Sequence, residues 1–121
     1  MSASIPTTKF RTRQVFRYLQ RVFPPPLDEP WTLVMVDGAA DFGGCDWPTK
    51  TVEVDIAYPQ PVTNSTLVHE WAHVLDTRPD TIWNEETAHD DFFWSLHGRI
   101  YRRFYEEGGA EESAYTKGVR Y

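Results

Sequence analysis

At 121 residues the chain has room for one domain, and its 40% hydrophobic and 15% aromatic content supplies one modest core rich in large rings. With no run of 18 apolar residues and no apolar stretch behind the N-terminal MSASIPTTKFRTR, the reading is a soluble, non-exported, cytoplasmic protein forming a single domain over 1–121, with no membrane partner. Cys45 is the only cysteine, which excludes an internal disulfide and a cysteine-based zinc site and leaves any metal to histidine and carboxylate.

The net charge of −6 is unevenly spread. Residues 1–23 carry Lys9, Arg11, Arg13, Arg17 and Arg21 and no acid, a segment of +5, against seven basic and eighteen acidic residues in the remainder, net −11. A basic helix on an acidic body can dock on that body, face an anionic partner such as nucleic acid, or simply be a solvated face.

Pro6-Thr7 opens a helix whose apolar residues Val15, Phe16, Leu19, Val22 and Phe23 recur at helical spacing until Pro24-Pro25-Pro26, which predicts a helix over roughly 8–22. Trp31 to Val36 is rich in β-formers and ends at Asp37-Gly38, so it reads as a buried strand. Phe42 to Pro48 suits a short strand or bend. Thr51 to Ile56 alternates strictly, with Val52, Val54 and Ile56 on one side and Thr51, Glu53 and Asp55 on a wet, acidic one. Pro59 and Pro61 close that strand, Thr63-Asn64-Ser65 offers caps, and Leu67, Val68, Trp71, Ala72 and Leu75 predict a second helix over roughly 65–76. Residues 77–88 read as a loop. Phe92, Phe93, Leu96, Ile100 and Phe104 mark a third helix ending at Gly108-Gly109, and the tail 110–121 has no period and reads as partly mobile. The order of elements is that of an α+β domain with a small sheet packed on helices.

His69-Glu70-Trp71-Ala72-His73 matches H-E-x-x-H on the second helix, where residues four apart share a face and both imidazoles can reach one Zn²⁺. Glu70 projects beside the metal, placed as general base toward a water molecule there. With four His and nine Glu in the chain, about 0.01 such matches are expected by chance. A catalytic zinc keeps three protein ligands and one open position. His89, His97, Asp76, Glu85 and Glu86 are candidates for the third. Asp76, Asp90 and Asp91 are candidates to orient the ligating rings. Arg99, Arg103, Tyr101 and Tyr115 could stabilise a tetrahedral intermediate, with nothing in their spacing to select one. Trp94 and Tyr101 suit either core or cleft lining.

The segment His69 to Ile100 resembles the SprT-like metallopeptidases, whose pattern is H-E-x-x-H, a loop, then His, with Phe four residues on and a later Arg-Ile; here these are His69, Glu70, His73, His89, Phe93, Arg99 and Ile100. The strand Val52 to Ile56 is similar to the one preceding the family's active-site helix, and the likeness spans roughly 42–105. It departs in having Asp90-Asp91-Phe92 where the family commonly has Gly-Pro-Glu, and in lacking a cysteine-rich zinc ribbon. The resemblance implies a minimal zincin-like core, one Zn²⁺ held by His69, His73 and His89, Glu70 as catalytic base, and peptide-bond hydrolysis. A polypeptide substrate would then pair beside Val52, Glu53, Val54 and Asp55 if that strand is an edge, its acidic face favouring basic substrates. The alternatives are a nucleic-acid-associated zinc-binding module working through the basic helix, and a zinc amidohydrolase acting on a non-protein substrate.

Overall fold

The computed structural model describes residues 4–38, 42–77, 88–116 and 119–120. In chain order these form α1 (Ser4–Val22), a 3-10 turn (Pro26–Asp28), β1 (Thr32–Val36), β2 (Gly43–Asp46), β3 (Thr51–Asp55), α2 (Gln60–Leu75), α3 (Asp91–Tyr101) with a π-helical extension (Arg102–Glu106), α4 (Gly109–Glu112) and the short strands β4 (Tyr115–Thr116) and β5 (Val119–Arg120). The fold is α+β, with a three-stranded mixed sheet, a two-stranded sheet and four α-helices among the described residues. Among the described residues no helix is long and apolar enough to cross a membrane.

The sheet order is β1-β3-β2, with β3 parallel to β1 and antiparallel to β2. Alternation then assigns two unlike faces. Leu33, Met35, Val52, Val54 and Cys45 share the side that joins the helices in one core, whereas Thr32, Val34, Glu53 and Asp46 on the other side are exposed. Val15, Phe16, Tyr18 and Leu19 of α1 and Leu67, Val68, Trp71 and Val74 of α2 fill that core, closed at the far side by Phe93, Leu96, Ile100 and Phe104. Trp71 is its centre: fully buried, edge-on to Phe16 at 5.5 Å, with its indole N–H donating to the Phe23 carbonyl at 2.9 Å. That bond supplies a partner to a carbonyl just past the end of α1, where helical carbonyls lack partners of their own.

Three expectations need correction. β3 is the central strand, so Val52, Glu53, Val54 and Asp55 offer no free edge to a substrate. Asp55 does not lie on a wet face either: it is 2% exposed, and its Oδ1 accepts the backbone N–H groups of Gly38 at 3.1 Å and Ala57 at 2.8 Å, gathering the ends of β1 and β3. Helix α2 begins at Gln60 and not near 65, because Pro59 and Pro61 open it. A first-turn proline forfeits only an N–H that has no helical acceptor. The would-be cap Thr63 instead donates its hydroxyl to the Asp55 carbonyl at 3.3 Å, pinning α2 to β3.

The tail also differs from its aperiodic reading, since α4 and the β4–β5 pair lie within it. The Arg11 guanidinium reaches across to Ser113 Oγ at 2.8 Å and the Ala110 carbonyl at 2.7 Å, and Glu112 takes ion pairs from Arg103 at 2.6 Å and Arg21 at 3.4 Å. Part of the basic helix is thus docked on the acidic body. The loop read over 77–88 and the candidates Glu85 and Glu86 fall mostly or wholly outside the described residues.

Candidate metal centre

His69 and His73 stand one turn apart on α2, ring centroids 5.0 Å apart, and His89 comes in from the segment just before α3. The His89 Nε2 lies 3.0 Å from His73 Nε2 and 3.2 Å from His69 Nε2, and the three candidate ligating atoms all lie within 4.8 Å of one another. A tetrahedral zinc with Zn–N bonds of about 2.0–2.1 Å separates its ligand nitrogens by roughly 3.4 Å. Hydrogen bonding alone fits this cluster poorly. A neutral Nε2 carries either one hydrogen or one lone pair, so His89 Nε2 can serve only one of its two neighbours, whereas a cation at the centre accepts all three lone pairs. Burial holds the His69 and His73 pKa values down to about 4, with the neighbouring imidazoles as the lesser cause, so both rings are neutral donors at physiological pH. The donor set therefore fits a zinc ion.

The centre rests on a floor and is tied from behind. The fully buried Phe93 ring lies 4.4 Å from His73, 4.9 Å from His89 and 5.1 Å from His69, centroid to centroid. Asp90 caps α3 by accepting the Phe93 N–H at 3.2 Å, which fixes the start of the helix that carries the floor. Asp91 is exposed in the first turn of α3. Asp76, fully buried at the end of α2, is close enough for its charge to raise the His73 pKa against the effect of burial. The Trp47 indole N–H donates to the His73 carbonyl at 3.2 Å, and Trp47 packs edge-on against Trp31 at 5.2 Å. That carbonyl lies in the last turn of α2, which has acceptors to spare.

Glu70 is buried beside the histidines, and burial pushes its carboxyl up from 4.5 to about 7. A cavity of about 430 Å³ opens there, lined by Phe42, Gly43, Ser65, Thr66, His69 and Glu70. Of its lining, Phe42, Gly43, Ser65 and Thr66 carried no sequence signal of a site; the Gly43-Gly44 pair, which lets a strand approach a helix closely, was the nearest to one. On the other flank Trp94 and Tyr101 are 48% and 45% exposed, so neither belongs to the core: Trp94 lies 6.2 Å from His69, and Tyr101 stacks on His97 at 6.1 Å, further from the centre. His97 contacts Trp94 at 5.2 Å and His69 at 6.1 Å, ring to ring, and is not among the three converging donors. Arg103 is engaged by Glu112 and the Glu107 carbonyl, and Arg99 is exposed.

No family model, curated protein or solved structure compared with the chain matches it.

Proposed function

We propose that the chain is a zinc-dependent metallopeptidase with a minimal zincin-like fold, resembling the SprT-like family. The observation that carries this reading is the convergence of three imidazole nitrogens, two of them one turn apart on α2, with a buried carboxylate next in sequence to the first. His69, His73 and His89 would hold the ion. When bound it supplies Lewis acidity, making water nucleophilic near neutral pH and polarising a substrate carbonyl. The Glu70 carboxylate takes a proton from the attacking water and delivers it to the leaving amine nitrogen. Its low exposure keeps competing solvent from that exchange.

The polypeptide lies along β2 and not β3. The Asp55 N–H bonds the Phe42 carbonyl at 2.9 Å, which turns the N–H and C=O groups of residues 42, 44 and 46 toward β3 and those of Gly43 and Cys45 outward. An extended segment pairing with that outer edge runs over the cavity that contains His69 and Glu70. Glu53 and Asp46, on the exposed face of the same strands, favour basic side chains in it.

Zinc content and cleavage of casein, measured on the wild type and on Glu70→Gln, test the reading. The variant keeps about one zinc while turnover falls roughly 10²–10⁴-fold. Equal cleavage by both proteins removes Glu70 from the reaction, and zinc binding without cleavage of any polypeptide turns the reading toward a zinc-binding module.

A further inference from the structure

Five cations on α1 have unequal fates. Arg11 and Arg21 are held by residues 110–113, as described above. Lys9, Arg13 and Arg17 follow each other at four-residue spacing, all exposed, and none has an ion-pair or hydrogen-bond partner among the described residues. They form one stripe along a helix that carries no acid. Arg13 and Arg17, with Phe16 and Gln20, wall a cavity of about 250 Å³ whose opposite wall is Leu33 and Met35 of β1.

β1 is an edge strand with Thr32 and Val34 exposed, and not the buried strand its β-forming composition suggests. The Thr32 N–H bonds the Lys50 carbonyl at 2.9 Å, and the Val36 carbonyl accepts the Ile56 N–H at 2.8 Å, so residues 32, 34 and 36 direct their backbone groups at β3. Alternation then turns the N–H and C=O of Leu33 and Met35 outward. No partner for these four groups occurs among the described residues. The same two residues therefore present an unpaired β edge and one wall of a cavity whose other wall is cationic.

We propose that this edge is a docking site for an acidic polypeptide segment in extended conformation, which adds to the sheet beside β1 and sets acidic side chains against Arg13 and Arg17. Main-chain pairing to Leu33 and Met35 supplies affinity that does not depend on sequence, and the two guanidinium groups select the charge. One turn of helix separates Arg13 from Arg17 by about 6 Å, close to the roughly 7 Å between alternate residues of a strand, so acids at positions i and i+2 meet both. Nucleic acid would use the same cations but has no backbone donors and acceptors matched to a β edge, leaving the outward groups of Leu33 and Met35 unused. The site lies on the opposite sheet edge from β2 and is independent of the proposed peptidase activity.

Fluorescence anisotropy with a labelled (Glu-Val)4 peptide tests it, against (Lys-Val)4, against the same acidic peptide N-methylated at alternate residues, and against a labelled single-stranded dT12. The full chain binds the acidic peptide, and both N-methylation and Arg13→Glu/Arg17→Glu weaken binding at least tenfold with the melting temperature and zinc content of the variant unchanged. Both substitutions are at exposed positions, so folding is not at issue. Indifference to N-methylation, or dT12 binding as tightly as the peptide, overturns the proposal in favour of a general polyanion surface. Absence of binding by the acidic peptide at low salt, or equal binding of the lysine peptide, overturns it outright.

Discussion

Gly43→Ala is the sharpest perturbation the structure offers, because it tests how β2 is seated against the helix that carries the histidines. A Cβ at this position lies 2.6 Å from the Glu53 carbonyl oxygen and 2.7 Å from Thr66 Cγ2, both well inside the 3.4 Å at which ordinary contact begins. One obstacle is backbone and the other a methyl on α2, so β2 must move by about 0.7–0.8 Å from one or both. Overpacking of this kind costs about 1–3 kcal/mol, more than the roughly 0.4–1 kcal/mol an alanine returns by restricting the unfolded chain. For a chain of this size that is a fall of about 3–15 °C in melting temperature, read by circular dichroism. Thr66→Ser removes the obstructing methyl while keeping the hydroxyl that donates to the Val62 carbonyl at 3.0 Å. The double variant should therefore recover part of the loss, the Glu53 carbonyl accounting for the rest, with a coupling above about 0.5 kcal/mol. Since Gly43 shares its cavity with His69 and Glu70, casein cleavage should fall further than zinc content does. A Gly43→Ala protein that melts with the wild type, or a double variant whose effects simply add, would refute the reasoning.

His69→Ala, His73→Ala and His89→Ala should each lose the bound zinc by metal analysis while His97→Ala keeps it; loss in His97→Ala with retention in His89→Ala reverses the ligand assignment. Chelation should lower the melting temperature, because an ion held by α2 and the segment before α3 adds about 4 kcal/mol at a zinc concentration a thousandfold above its Kd; identical melting with and without chelator removes any structural role for it. Trp71→Phe deletes the donor to the Phe23 carbonyl and leaves that acceptor unpaired, costing about 2 kcal/mol or roughly 6–12 °C, and zinc affinity should fall with it; a lowered melting temperature with unchanged zinc affinity would show that core and centre do not share a support. Burial raises the Cys45 thiol pKa well above its usual value, so the protonated form persists where a free thiol ionises; iodoacetamide labelling should stay slow through pH 9 and accelerate tenfold or more on unfolding, and rapid labelling of the folded protein at pH 8 would contradict the burial.

The metal-binding half of the centre was legible because its chemistry is local: His69 and His73 face one way on any helix, and Glu70 follows from the same register. His89 was not legible from spacing, since nothing local to the sequence tells that the start of α3 packs beside α2, and the resemblance to a family had to supply it. Strand existence was legible from alternation at Thr51 to Asp55, but alternation reports one buried face and is silent on neighbours. Whether β3 is an edge depends on β1 pairing with it in parallel from the far side of β2, a contact between segments separated by a whole strand. Asp55 shows the limit of the same rule: at a strand end, where the N–H groups of Gly38 and Ala57 need an acceptor, local hydrogen bonding overrides the face that alternation assigns. Pro59 and Pro61 read as strand terminators for a sound reason, yet a proline that ends one element is equally suited to begin a helix, and only the fold decides between them.

These particulars have a common cause in how few elements carry both core and centre. Helix α2 carries two of the three converging histidines and the buried carboxylate on one face, and the Trp71 that centres the core on another. Its two ends are tied by bonds that serve fold and centre together: Thr63 to the end of β3, and Trp47 to the carbonyl of His73 itself. A larger protein can separate a packing helix from a ligand helix, so that core substitutions leave the site alone. Here the imidazoles rest directly on the core, since the Phe93 floor beneath them is part of it. Substitutions that loosen α2 against α1 or β2 should thus degrade zinc affinity in proportion to stability, whereas those on the exposed sheet face, at Val34 or Glu53, should leave it untouched.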